Sequence, residues 1–371
     1  MAIKKRITIV YGTRPELIKM VPLILEMKND QRIELTIINT GQHKEMVDDM
    51  EKIFDIIPDY YLETMVPNQS LTQIHISICK TVEPVLLTIN PDLVLIQGDT
   101  SSVAAVGIIC FYNHINIGHV EAGLRSFNLN EPFPEEFNRK MVSIYSTLNF
   151  APTPLAAQNL LNEGVAKANV FITGNTIVDM VKLIKNKLPK INNVKKIILI
   201  TAHRRENHGE GITNIISAIK TLVNEYSDIH FIWPVHPNPN VKDIVYKELS
   251  SFANVELTAP MDYFTLSGYL KSAFMVWTDS GGIQEECPSY KKPVLILRNV
   301  TERPEVIEAG FGMLVGTNTD LIVTVSRKLI QDERTYEGMI SGINPFGDGY
   351  SSKKIVDVIF KNLKKDFKKI S

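Results

Sequence analysis

Short apolar runs alternate with amphipathic stretches along the whole chain, and this alternation restricts the fold more than any other feature. In the first half, Ile7–Tyr11, Leu35–Asn39, Leu93–Gln97, Ile115–Val120 and Val170–Thr173 are near-continuous apolar runs of strand length. Between them, Pro15–Met27, Leu71–Leu87, Ser102–Phe111, Glu136–Tyr145 and Pro154–Asn162 carry apolar residues at helical spacing. Strands without an alternating polar face must be buried on both sides, so the pattern predicts a parallel sheet covered by helices on both faces. After Gly174-Asn175-Thr176 and the helical stretch Ile177–Lys187 comes NKLPKINNVKK, 186 to 196, a polar segment with a proline that reads as a domain boundary. The alternation then restarts. Strands are expected at Lys196–Ile200, His230–Pro234, Val255–Leu257, Phe274–Trp277 and Val294–Leu297, with helices near Gly211–Glu225, Val241–Leu249, Tyr263–Lys271 and Gly282–Pro288. The expectation is an α/β chain of two Rossmann-like halves of comparable size, 1–174 and 196–350. Residues 175–195 would join them, and a basic amphipathic helix would lie within 351–371.

Composition narrows the function classes. Forty lysines and arginines against 41 aspartates and glutamates leave a net charge of −1, which argues against a general nucleic-acid binder or a membrane-surface protein. No apolar run reaches the length that crosses a bilayer. The basic start MAIKKR leads into a short run, Ile7–Tyr11, with no small-residue cleavage pattern after it, so a first strand is expected there rather than a signal peptide. The cysteines, Cys79, Cys110 and Cys287, are odd in number and far apart. They fit a reducing cytoplasm and suggest neither a metal site nor a disulfide framework.

Candidate chemistry sits where strands should end. The stretch His119–Arg139 carries carboxylates at Glu121, Glu131, Glu135 and Glu136 and arginines at Arg125 and Arg139. Gly123, Pro132 and Pro134 forbid a continuous helix, so a shaped loop should leave the strand and enter a helix near Glu135. Asp99, in Gln97-Gly98-Asp99-Thr100, ends the preceding strand and should share a sheet rim with Glu121. With Glu135, three carboxylates can converge and raise one another's pKa into the range useful for acid/base work near neutrality. Taken singly, Asp99 reads more readily as a helix cap, and the loop equally as a solvated, salt-bridged one. Gly12-Thr13-Arg14-Pro15-Glu16, with Lys19 a turn later, suits an anion at a helix N-terminus, but neither GxGxxG nor a Walker pattern is present. In the second half, His203, Arg204 and Arg205 follow the first strand, and His236 stands in PVHPNP. The sharpest local signal is Thr278-Asp279-Ser280-Gly281-Gly282-Ile283-Gln284-Glu285-Glu286: strand, small-residue turn, helix. Amides of Ser280, Gly281 and Gly282 can cradle a phosphate, and Glu286 can accept hydrogen bonds from a ribose.

Taken together, GTRPE, GQH, QGDT, HVEAGLR, PFPEEFNR, TGNT, TAHRREN, HPNP, TDSGGIQEE and TERPE, in this order from residue 7 to Ile343–Ser352, resemble the bacterial UDP-N-acetylglucosamine 2-epimerases, in particular their non-hydrolysing branch. The resemblance implies a GT-B-type architecture, with two Rossmann-like domains facing across a cleft and the C-terminal helix crossing back to the first, and a homodimer. It also implies inversion at C2 of UDP-GlcNAc to UDP-ManNAc through 2-acetamidoglucal and UDP, with no metal or nicotinamide. Asp99, Glu121 and Glu135 match the family's essential acids, supported by Lys19 and Arg139. Ser280, Gly281 and Gly282, with Arg14 and His203, match the groups that stabilise the leaving diphosphate. Glu286 matches the ribose ligand, and Arg303 of TERPE is grouped with the UDP-binding residues. Members of the branch bind a second UDP-GlcNAc as activator, and Gln42, Glu136, Arg204 and His236 match positions used there. Two positions depart from that pattern: Glu45 stands where a glutamine is often found, and Met65–Ser70 lacks an arginine. The rivals are a hydrolysing relative that releases free ManNAc, a GT-B glycosyltransferase, a non-catalytic nucleotide-sugar sensor, and an epimerase of a 6-deoxy analogue.

Overall fold

A computed structural model of the protein describes residues 4–42, 45–66, 68–191 and 195–363, without the side chains of Glu45, Met46 and Arg205. The chain divides into two compact units, one formed by 1–183 with 346–371 and the other by 184–345.

The first unit contains β1 (Lys5–Tyr11), α1 (Arg14–Lys28), β2 (Ile33–Asn39), α2 (Glu45–Ile53), β3 (Tyr60–Tyr61), α3 (Leu71–Ile89), β4 (Leu93–Gln97), α4 (Ser101–Tyr112), β5 (Ile117–Val120), α5 (Glu135–Tyr145), β6 (Leu148–Ala151), α6 (Pro154–Asn162), β7 (Val170–Ile172) and α7 (Thr176–Ile184). Its seven strands run in the order β3-β2-β1-β4-β5-β6-β7, and every neighbouring pair is parallel. The order reverses between β1 and β4, and in such sheets ligands bind beyond the strand ends at that switch point. The sheet is buried as its sequence requires: all five residues of β4 are inaccessible. On one face Val10, Ile38, Val94 and Ile96 meet Ile74, Ile78, Val82 and Leu86 of α3, spaced four apart so that they share one side of that helix, together with Val103, Val106 and Ile109 of α4. Burying each such aliphatic side chain contributes roughly 1.5–3 kcal/mol. Gly107 lets α4 approach α5 closely, because a Cβ there would lie 2.6 Å from the Tyr145 hydroxyl.

The second unit contains β8 (Lys196–Thr201), α8 (Glu210–Glu225), β9 (Ile229–Pro234), α9 (Pro239–Leu249), β10 (Val255–Thr258), α10 (Tyr263–Ser272), β11 (Met275–Thr278), α11 (Gly281–Tyr290), β12 (Val294–Ile296), α12 (Glu305–Glu308), β13 (Gly312–Leu314), α13 (Thr319–Gln331) and α14 (Glu333–Gly338). Its six strands, again all parallel, are ordered β10-β9-β8-β11-β12-β13, with the switch point between β8 and β11. Phe231, Trp233 and Trp277 are fully buried, with Phe231 edge-on to Trp277 at 6.0 Å, and the apolar face of α8 (Ile212, Ile215, Ile219, Leu222) closes over them.

The C-terminal helix α15 (Ser351–Asn362) belongs to the first unit and lies beside α1. Both oxygens of the buried Asp179 carboxylate accept backbone N–H groups of its first turn, from Ser351 at 3.0 Å and Ser352 at 2.8 Å. Lys5 donates to the Leu363 carbonyl at 3.0 Å, and the Arg32 guanidinium lies 3.9 Å over the Phe360 ring. Both halves are Rossmann-like, as expected, yet each holds more strands than the periodicity revealed. β3 has two residues and β13 three, too few to establish a period, and β6 follows α5 so closely that its apolar run merges with the helix. Among the described residues no helix is long and apolar enough to cross a membrane.

Candidate active site

In the first unit the candidate groups gather at the C-terminal ends of β1, β4 and β5. Gly12 ends β1 in a position that admits no side chain, since a Cβ would strike the Thr40 hydroxyl. Arg14 opens α1 half-buried, and Lys19 stands on the next turn of the same helix, 7% exposed. Lys19 is ion-paired with Glu121, which also accepts the Asn175 side-chain amide at 2.8 Å. Glu121 occupies the left-handed region at φ 66°, a conformation that disfavours a side chain with Cβ and is held by these two partners. Asp99 follows β4 and is ion-paired with Arg139, whose Nε lies 3.2 Å away, while Asn138 donates to the Asp99 carbonyl at 2.8 Å. Arg139 turns its other nitrogen, Nη1, to Glu136 at 3.0 Å. Glu136 is fully buried and accepts the N–H groups of Ser126 and Phe127 at 3.0 and 3.1 Å, so this carboxylate fixes both the loop and Arg139. Glu135 begins α5, half-buried. Arg125 belongs to a separate pair, its Nε 3.0 Å from Glu163.

Asp99 and Glu121 share a rim, and each is paired with a cation, Arg139 and Lys19 respectively. A carboxylate withdrawn from water without a counter-charge is costly, and the long side chains of Lys19 and Arg139 reach across the strand ends to supply one. His119, one strand position before Val120, was overlooked as a contributor. It is fully buried, and its Nε2 lies 2.7 Å from the Gly98 carbonyl, so Nε2 carries the hydrogen and donates. Burial pushes its imidazole down to a pKa of about 4, so the ring is neutral and fastens the turn that leads to Asp99.

In the second unit the organising residue is Asp279, a member of TDSGGIQEE that the sequence reading left without a role. Fully buried at the end of β11, it accepts the N–H groups of His203 and Arg204, each at 2.8 Å, and the Asn207 side-chain amide at 2.9 Å. Its other oxygen is 3.2 Å from Nδ1 of His203. The His203 ring stacks on His236 with centroids 6.0 Å apart, and burial together with the neighbouring histidine pushes the His236 pKa down. At the start of α11, the Ser280 N–H donates to the Thr278 hydroxyl at 3.0 Å, so one of the three amides expected to cradle a phosphate is engaged within the turn itself. A Cβ on Gly282 would meet only the Ser280 hydroxyl at 4.0 Å, so the space before the turn is open. Gly281 instead lies against the guanidinium of Arg303, where a Cβ would collide. Arg303 is 5% exposed and paired with Glu285 and Glu302, so it braces the turn from behind. Glu286 is buried on α11 and accepts the Tyr263 hydroxyl at 3.1 Å.

Of the remaining candidates, the Gln42 side-chain oxygen accepts the Ser102 hydroxyl, and Arg204 is half-buried. Glu45, the first departure from the activator pattern, has its side chain outside the described residues, as does all of its neighbour Lys44. The second departure, Met65–Ser70, includes Pro67, also outside them; in the remainder of that segment Val66 bonds Gln69 at 2.9 Å and Ser70 caps α3.

A family model described as UDP-N-acetylglucosamine 2-epimerase matches residues 25–360. The UDP-N-acetylglucosamine 2-epimerase of Neisseria meningitidis serogroup A is 44% identical over 370 residues, 96% of this chain and 100% of that one. Among solved structures, a Neisseria meningitidis UDP-GlcNAc 2-epimerase bound to UDP-GlcNAc superposes with a TM-score of 0.91 at 43% identity, covering 96% of this chain and 100% of the other. The Staphylococcus aureus MnaA–UDP structure gives the same score and identity with 98% of each chain covered.

Proposed function

Since the chain belongs to the UDP-N-acetylglucosamine 2-epimerase family, we propose that it interconverts UDP-GlcNAc and UDP-ManNAc by elimination and re-addition of UDP, the non-hydrolysing course. The observation that carries this reading is the pair of cation-bound acids, Lys19–Glu121 and Arg139–Asp99, at adjacent strand ends. The C2 proton of the sugar is not acidic, so its removal has to be coupled to departure of the diphosphate. A base takes the proton, the C2–H electron pair becomes the C1=C2 bond of 2-acetamidoglucal, and the C1–O pair leaves with UDP. Return of UDP to C1, with a proton delivered to the other face of C2, completes the inversion. Opposite-face transfer requires acid/base groups on two sides of the ring, and Asp99, Glu121 and Glu135 are the proposed set, with Lys19 and Arg139 supporting them. Arg14, His203 and the turn Ser280–Gly282 are proposed to stabilise the diphosphate, through cations and through the helix N-terminus. Glu286 would hold the ribose, with Arg303 acting from behind the turn. No metal or nicotinamide enters this route.

Gln42, Glu136, Arg204 and His236 are proposed for a second, activating UDP-GlcNAc. A homodimer is proposed as well, supported by large apolar side chains exposed on α3, α4 and α5: Ile76, Leu87, Phe111, Tyr112 and Ile144. The proposed location is the cytoplasm, where the product would feed cell-surface polysaccharide synthesis.

Proton NMR of the purified protein with UDP-GlcNAc in deuterated water tests the reading. UDP-ManNAc deuterated at C2, without free ManNAc, is the expected result. Free ManNAc with UDP would establish the hydrolysing course instead, and absence of exchange would overturn the substrate. Asp99→Asn and Glu135→Gln should each abolish turnover while UDP still binds, and wild-type rates in either variant would refute that residue's role.

A further inference from the structure

Arg298 is a buried cation that none of the roles above uses. It stands two residues after β12 with its side chain 1% exposed, and its guanidinium lies between carboxylates from two loops. Its Nε is 3.1 Å from Glu206, which follows β8 three residues beyond His203, and its Nη1 is 2.7 Å from Glu302. The other oxygen of Glu302 accepts Nη1 of Arg303, and Nε of Arg303 donates to Glu285 on α11. The Arg303 guanidinium is also the group packed against Gly281. Five charges of alternating sign thus run from the loop of His203 and Arg204 to the turn Ser280–Gly282. Beside this row, the Asn207 side-chain amide donates to the Leu297 carbonyl at 3.1 Å, so the loop after β8 meets the end of β12 at a second point. We propose that Arg298 is a positioning residue for the diphosphate: it holds Glu206 on one side and Glu302 on the other, and so sets the His203 loop against the α11 turn. The inference rests on the function proposed above, which assigns both of these groups to the diphosphate.

The row is dry except at one end. Arg298, Glu302, Arg303 and Glu285 all have buried side chains, whereas that of Glu206 is 32% exposed. Ions withdrawn from water need close counter-charges, and buried pairs add little net stability over apolar packing of the same volume. What such a row does supply is geometry. A guanidinium presents its N–H groups in a rigid fork, so two carboxylates bound to it are held at a fixed separation, which the single ammonium of a lysine does not impose. Its own charge does not favour an anion either: three acids and two arginines sum to −1, which by Coulomb's law opposes a nearby diphosphate. Any help the row gives to the diphosphate must therefore come from where it places the donors on the two loops.

The test is calorimetric titration of the full-length protein with UDP and with UMP, alongside Tm and the epimerisation rate. Glu206→Ala removes only the partly exposed acid at the end of the row. It should weaken UDP binding by roughly tenfold, the worth of one hydrogen bond to a charged group, and weaken UMP less, so that the preference for UDP shrinks. Loss of a negative charge alone would act in the opposite sense and tighten both ligands. Glu206→Gln keeps an acceptor oxygen at the same reach and should recover part of the affinity. Arg298→Lys keeps the charge without the fork and should repeat the loss seen in Glu206→Ala. UDP bound by Glu206→Ala as tightly as by wild type, or more tightly, would overturn the proposal. Equal weakening of UDP and UMP with a lowered Tm would overturn it too, since that is the mark of a merely structural brace. Should Arg298→Lys fail to fold, Glu206→Ala decides. Wild-type protein that neither binds UDP nor epimerises UDP-GlcNAc would overturn the function itself, whereas an active wild type indifferent to Glu206→Ala would overturn only this role.

Discussion

Among the described residues, no ion pair to Glu16 is seen, which separates this buried acid from Asp99 and Glu121. Asp99 and Glu121 face a guanidinium and an ammonium, whereas Glu16 accepts the Gly12 N–H at 2.7 Å and the Thr13 hydroxyl at 3.0 Å. A folded-state pKa near 7, above the ordinary 4.5, means that the folded protein holds the proton more tightly than the unfolded chain. Stability contributed by that proton is complete below about pH 4.5 and is lost as pH rises through about 7, a change of about 3 kcal/mol. Urea unfolding at a series of pH values should therefore show Glu16→Gln gaining on wild type by about that much across the window. Parallel pH dependences would refute the assignment. At this scale the sequence showed residue types but not partners. Thr13 and Glu16 stand at the spacing of a capping box, which is local and legible.

Elements were legible where their period was long enough to read. The strands β1, β4 and β5 and the helices that follow them emerge from apolar runs and turn residues alone, since two-sided burial leaves a mark on every residue of the strand. β3 and β13, with two and three residues, leave no such mark. The beginning of α15 was expected from its amphipathic pattern, but its cap was hidden: the acceptor for the Ser351 and Ser352 N–H groups is Asp179, 172 and 173 residues earlier. Asp179→Ala leaves two buried donors unsatisfied and should destabilise the first unit by about 2 kcal/mol or more. Thermal unfolding should record a Tm lower by several degrees, and an unchanged Tm would show that the helix is held by its packing alone.

At the scale of the whole molecule, each unit has a core of its own, and each sheet reverses order once, so two switch points carry the candidate groups. The proposed division assigns the acids, with Arg14, to the first unit and the Ser280–Gly282 turn, with His203, to the second. UDP at a hundred times its Kd should therefore raise the stability of the wild-type protein by about 2.7 kcal/mol. Gly282→Asp adds a side chain into open space, so the fold should persist while the added charge repels the diphosphate. Calorimetry should show the UDP-dependent gain disappear in this variant, and a full gain would remove the α11 turn from the nucleotide site.

The alternation of apolar runs, the boundary segment, the turn residues and the order of the short motifs were enough to determine two Rossmann-like halves, a family and a set of candidate residues. These signals are local, since a strand's burial and a turn's glycine are written in consecutive residues. What only the tertiary structure decided is which charges meet. Lys19 pairs with Glu121 across 102 residues, Arg139 with Asp99 across 40, and Asp279 fastens His203 across 76. Arg303 turns inward to Glu285 and Glu302, although its sequence neighbours gave it the look of a ligand group. Charge pairing depends on distance in space and on exclusion of water, and both arise only once the sheet has brought its strand ends side by side.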